Sequence, residues 1–154
     1  MSAEDELHNL VDEWHQNADK AQNCHYEAGL FYERLFLALG IPVIVLSALT
    51  GGSEILGTIG QHVGGVISLC IAVIAGLQTF LKFSQRSERH RVAGARYGGM
   101  KRSLEEAKIT LSESGEGAKA EIHEIKKQLD ALANECPELP SRISRRYDLN
   151  VVKK

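Results

Sequence analysis

The chain carries the side chains that do chemistry, but not the spacings that chemistry requires. Six histidines, His8, His15, His25, His62, His90 and His123, are scattered over 154 residues. A zinc hydrolase motif sets two histidines one helical turn apart beside a carboxylate. Glu124 follows His123, but the second histidine is missing. His8 and His15 lie about two turns apart and read as part of a solvated helix surface, while His25 and His123 read as packed or register-setting polar residues. Cys24, Cys70 and Cys136 are far apart and form no CxxC pair, which argues against a structural zinc site or a disulfide framework. There is no phosphate-binding P-loop, no GxGxxG and no GxSxG. The sequence therefore predicts no enzyme, no catalytic or metal-ligating residue and no cofactor.

A different chemistry is suggested by polar and small residues set in apolar surroundings. Gln78 and Thr79 form a polar pair inside a long uncharged run. Such a pair either hydrogen-bonds between helices or lines a polar pathway. Upstream of it, Gly60, Gly64, Ser68, Ala72 and Gly76 fall four apart. Small side chains in that rhythm let two helix backbones approach closely, whether within one chain or between copies. Gly40, Ile44, Ala48 and Gly52 repeat the rhythm more weakly.

The elements that must position these residues follow from the distribution of charge. The formal net charge is only −2, so no global attraction to nucleic acid is expected. No charged side chain occurs from Leu35 to Ser53, or from Ile55 to Leu81, while the rest of the chain is dense in charge. A soluble helix keeps a polar face at helical spacing, whereas a bilayer crossing needs roughly 20 apolar residues. The predicted fold class is thus all-α: an integral membrane hairpin of two transmembrane helices, over 35–53 and 63–81, extended by long coiled-coil-like helices. An outer loop spans 54–62. Gly40 and Pro42 predict a helix kink rather than a stop, because lipid penalises an unwound backbone. The acidic N-terminus has no apolar core of a signal peptide, so insertion is expected to use the internal spans.

Orientation follows the positive charges. The loop has no Lys or Arg, whereas Lys82, Arg86, Arg89, Arg91, Arg96, Lys101 and Arg102 follow the second span and Arg34 precedes the first. Both termini are expected in the cytoplasm. Before the first span, a helix over 3–34 carries the seam Leu7, Val11, Trp14, Ala18, Ala21, His25, Ala28, Tyr32 and Leu35, in alternating steps of three and four. A second such helix is expected over 82–112 and a third over 118–136, with the seam Ala118, Ile122, Ile125, Leu129, Leu132 and Cys136 ended by Pro137. The basic run suits either anionic lipid or, in an antiparallel pairing, the acidic residues Glu4, Asp5, Glu6, Asp12, Glu13 and Asp19 of the first helix. The tail, 137–154, is basic and expected to be mobile or lipid-associated.

The stretches "HYEAGLFYERLFLALGIPVIVLSALTGG" (25–52) and "GLQTFLKFSQRSERHRVAGARYGGMKRSLE" (76–105) closely resemble the paired signatures of the SLATT family, and "ECPELPSRISRRY" extends the similarity weakly. These are two-transmembrane effectors associated with SMODS nucleotidyltransferases and SLOG sensors in bacterial conflict systems. The resemblance implies a multi-pass protein of the bacterial inner membrane that forms homo-oligomers and perforates the bilayer to arrest an infected cell. It also implies a separate partner that produces or senses a nucleotide signal. The other class compatible with these residues is a membrane-anchored scaffold or sensor that recruits a cytoplasmic partner.

Overall fold

In the computed structural model, residues 3–56, 60–113 and 115–147 are described. Helix accounts for 94% of them, with no strand. Helix α1 runs Ala3–Leu56, α2 Gln61–Leu81, α3 Phe83–Glu113, α4 Gly115–Glu135 and α5 Ser141–Arg146. The chain divides into two compact units, one formed by Met1–Gly29 with Glu88–Lys154 and the other by Leu30–Ser87. Two of the expected segments fall partly outside the described residues: 57–59 of the loop and 148–154 of the tail.

The first unit is built on the heptad seams. Val11 and Ala18 of α1, Leu104, Ala107 and Leu111 of α3, and Ile122 and Ile125 of α4 form one buried cluster, flanked by Leu7, Trp14, Tyr97 and Leu129. Three amphipathic helices can bury their stripes only against one another, which gives this three-sided core. Along α1 the expected seam positions from Leu7 to Ala28 are all buried or half-buried. The α1 and α3 segments run antiparallel. Lys101 Nζ donates to Asp19 Oδ1 at 2.7 Å, and two turns along each helix Lys108 pairs with Asp12. The pairing holds the Asp12 carboxyl below the usual carboxylate range, because it accepts a hydrogen bond from Lys108, and raises Lys101, because Asp19 accepts from it. Exposed pairs of this kind set register more than stability.

The chain departs from the sequence expectation at its C-terminal end. Where the basic tail was expected to be mobile or lipid-associated, α5 forms and Ile143 is buried against Cys24 and Ala28, with Leu139 and Tyr147 packed alongside. Arg146 pairs with Glu27. One isoleucine among arginines leaves no periodic signature, yet docking it covers the sulfur of Cys24, whose thiol burial pushes up to about 11. Helix α4 also begins at Gly115, three residues before the expected start at 118.

The second unit is a helical hairpin. The half-buried positions Leu35, Leu39, Val43 and Leu46 of α1 and Ile67, Ile71, Ile74 and Leu81 of α2 mark its inner faces. Helix α1 continues through Pro42. Helix α2 ends at Lys82, which sits in the left-handed region (φ 49°, ψ 43°) and donates its N–H to the Gln78 carbonyl at 3.2 Å. For a non-glycine residue that conformation costs roughly 1–2 kcal/mol, here placed where the apolar run gives way to charge.

Leu104 is fully buried and Ile109, on the same helix, is 62% exposed. Leu104→Ala is expected to lower the stability of the first unit by about 2–5 kcal/mol. Ile109→Ala should change it by no more than about 0.5 kcal/mol. Denaturant titration in detergent, followed by the fluorescence of the single tryptophan, Trp14, checks both.

Candidate functional site

The site with functional character in the second unit is the hairpin's outer surface. Helices α1 and α2 are each long and apolar enough to cross a membrane, and only 6% of the most apolar stretch of each is buried within the protein. The side chains that face outward are large: Ile44 is 71% exposed, Leu69 66% and Phe80 82%. A water-facing surface does not hold a continuous patch of this kind without a purpose.

The polar pair divides between two environments. Gln78 Nε2 donates to the Phe36 carbonyl at 3.0 Å, an interhelical bond made nearly two turns before Pro42 and on a different carbonyl from that of Ala38, which the missing proline N–H leaves without its helical donor. Gly40 makes room for this reach, since a Cβ there would lie 3.2 Å from Gln78 Nε2. Thr79 Oγ1 donates to the Ala75 carbonyl of its own helix at 3.0 Å and is exposed on the outer face. Ser47 and Thr50 likewise donate to Val43 and Leu46 of theirs.

The small-residue ladder is not the surface on which the hairpin closes. Gly60, Ser68, Ala72 and Gly76 are exposed and Gly64 is buried, yet a Cβ added at Gly60, Gly64 or Gly76 would meet nothing within 4 Å. Thr79 extends the same face by the next helical step. The inner face carries branched aliphatics instead.

At the open end of the hairpin, Tyr32 stacks on Phe83 with ring centroids 6.4 Å apart, and Arg86 lies 5.9 Å above the Tyr32 ring. Arg34 and Lys82 join them in sequence at this end. The remaining members of the basic run belong to the first unit and differ in employment. Lys101 serves Asp19, Arg96 Nη2 bonds Glu135 Oε2 at 2.7 Å, and Arg89 lines a cleft of about 400 Å³ with Glu88, Val92, Glu135 and Cys136. Arg91 and Arg102 are exposed.

The first unit contains a polar cluster in its interior. His25 of α1 and His90 of α3 are each 3% exposed, with their Nδ1 atoms 3.0 Å apart. Tyr97 stacks on His25 at a centroid distance of 5.5 Å. The Tyr97 hydroxyl bonds Cys136; burial first, then Cys136, pushes it to about 12, and burial also raises Cys136. His25 is thus a packed polar residue of the seam, whereas His123 is exposed on α4. His90, Gly94 and Gly98 carried no weight in the sequence reading because the inward face of α3 is written in Ser87, His90, Ala93 and glycines rather than in large aliphatics. The signal available was Gly94-x3-Gly98. A Cβ at Gly94 would lie 3.1 Å from the Tyr26 ring and 3.3 Å from the Gln22 backbone oxygen. Among the described residues no group of three or more His, Cys, Asp or Glu is placed to hold a metal ion, and no buried side-chain nitrogen or oxygen lacks a hydrogen-bond partner.

No family model, curated protein or solved structure matches this chain.

Close approach at Gly94 predicts that Gly94→Val forces α1 and α3 apart and costs about 1–3 kcal/mol. Gly98→Ala meets only the Gln22 amide, which can swing aside, and should be far milder. Gly99→Ala faces open space and is expected to stabilise the helix by roughly 0.5–1 kcal/mol. Thermal unfolding of the three variants in one detergent orders them.

Proposed function

We propose that this chain is a two-span membrane effector of the bacterial inner membrane, with both termini cytoplasmic, whose copies associate through the hairpin and permeabilise the bilayer without a catalytic step. The observation that carries the reading is the outward ladder Ser68, Ala72 and Gly76, exposed on a helix whose own partner packs elsewhere. In lipid there is no hydrophobic drive between helices, so close approach at small residues supplies the association. Two spans cannot enclose a pathway alone, which makes several copies a requirement of any pore. Ser68 and Thr79 on that face bring hydroxyls to the contact between copies, while Gln78 closes the hairpin.

The membrane assignment draws support from the exposed apolar face and from the aromatic and basic end formed by Tyr32, Phe83 and Arg86, the composition of a bilayer interface. The resemblance to SLATT effectors supplies the biological setting: a defence system in which membrane damage arrests an infected cell. In that setting the trigger is a separate nucleotide-signal-producing or nucleotide-sensing protein, which must favour one conformation of the effector over another.

A second reading, a membrane-anchored scaffold or sensor, is favoured by a different observation. Gln78 and Thr79 both donate within the hairpin, as the polar residues of an inert anchor would. The two readings separate on membrane potential, followed with a voltage-sensitive dye as the protein is induced in bacteria. The effector reading expects rapid depolarisation before loss of viability, abolished by Ala72→Leu with Gly76→Leu, which insert equally well but block close approach. Gln78→Leu with Thr79→Val then tests the polar pair, and unchanged leakage would exclude both as pathway residues. A steady potential with confirmed insertion and cross-linked oligomers would favour the anchor.

A further inference from the structure

Two imidazoles that meet nitrogen to nitrogen have room for one proton between them. At 3.0 Å, one Nδ1 must carry the hydrogen and the other must accept it. The neutral pair satisfies this with complementary tautomers, and a single added proton can still be accommodated. When both rings are charged, two N–H groups point at each other and the contact cannot persist.

The paired carboxylates on the elements packed against this pair are engaged by other groups. On α1 the neighbouring groups are Cys24, Tyr26 and Glu27; Glu27 is committed to Arg146 of α5 and to the Tyr147 hydroxyl. On α3, Arg89 and Arg91 flank His90 in sequence, Glu88 is exposed on the cleft wall, and Tyr97 covers the His25 ring. From the end of α4 come Cys136, bonded by Tyr97, and Glu135, paired with Arg96. The carboxylates Glu27 and Glu135 are thus held by other cations.

We propose that the His25–His90 contact is a proton-sensitive latch between α1 and α3, closed while at most one proton lies between the rings and opened when acidification charges both. The latch closes over glycines: Gly94 and Gly98 bring the helices to the distance at which the rings touch, so opening one contact loosens the other.

The direction of the pH response follows from the protonation states. Burial, with the adjoining His90 second, pushes His25 from 6.5 down to about 4. The folded unit holds the neutral ring, so the stability it contributes is fully present above pH 6.5 and is lost as pH falls from 6.5 toward 4. Asp12 does not produce loss in this window, because its bond from Lys108 holds its carboxyl below the usual range.

The latch lies wholly in the first unit and is measured in detergent, so its failure is separable from failure of the permeabilising reading. The test follows the full chain by hydrogen exchange corrected for intrinsic rates and by histidine ring resonances, between pH 7 and 5. The wild type is expected to shift the opening equilibrium of the segments around His25 and His90 by roughly tenfold over this range. The His25 ring resonance should titrate well below 6.5. His25→Asn with His90→Asn keeps a donor and an acceptor near the Nδ1 positions but carries no titrating group, and should flatten the response. His15→Gln, which removes a separate histidine contact, to Glu105, should leave it intact. Should the double variant not fold, the wild-type resonances decide. A His25 midpoint near the ordinary 6.5, or an acid response unchanged in the double variant, would overturn the latch.

Discussion

The outer face of the hairpin sets the terms for the rest of the molecule. Ile44, Leu69 and Phe80 project from helices whose most apolar stretches are 6% buried. At about 25 cal/mol per Å² of apolar surface, such a face left in water forgoes its burial energy at every turn. An apolar medium removes that cost and replaces it with another: each backbone donor and acceptor must be satisfied within the chain. Within the described spans helix meets that demand except at the Ala38 carbonyl, which Pro42 leaves without its donor, while the Gln78 amide ties the two helices together at Phe36. The proposed bilayer crossing thus accounts for the apolar composition and for the absence of an unwound segment at the proline.

The first unit solves the opposite problem. Its helices are rich in charge, and their packing depends on narrow stripes of Val, Leu, Ile and Ala that three helices share. Ion pairs at Asp12 and Asp19 fix which faces meet. The glycines of α3 then allow an approach close enough for a histidine pair and a tyrosine to be enclosed without an orphaned polar atom. Stability from aliphatic stripes and sensitivity from a polar cluster therefore occupy the same helix pair.

How much of this was legible depended on whether a residue's type matched its place. The seams of α1 and α4 and the apolar runs of α1 and α2 were readable, because aliphatics at helical spacing and uncharged runs carry their own meaning. The end of α2 at Leu81 matches the change from apolar to basic composition. Cys24, His90 and Ile143 were not readable, since a cysteine beside a seam, a histidine among arginines and a lone isoleucine in a basic tail show no period. The ladder in α2 was readable as a pattern but not as a direction: only the structure turns Ser68, Ala72 and Gly76 outward. Gln78 and Thr79 share one peptide bond and still separate, one inward and one outward, because a helix rotates about 100° per residue.

The central claim is that the two apolar helices cross a bilayer and return. Its most direct measurement uses single-cysteine variants, with the native cysteines replaced, carrying Gly60→Cys in the loop or Lys126→Cys on α4, labelled in intact bacteria by a membrane-impermeant maleimide. A crossing hairpin predicts that Gly60→Cys is labelled from outside while Lys126→Cys reacts only after lysis. Labelling of neither residue before lysis, with the protein recovered in the supernatant without detergent, would contradict it.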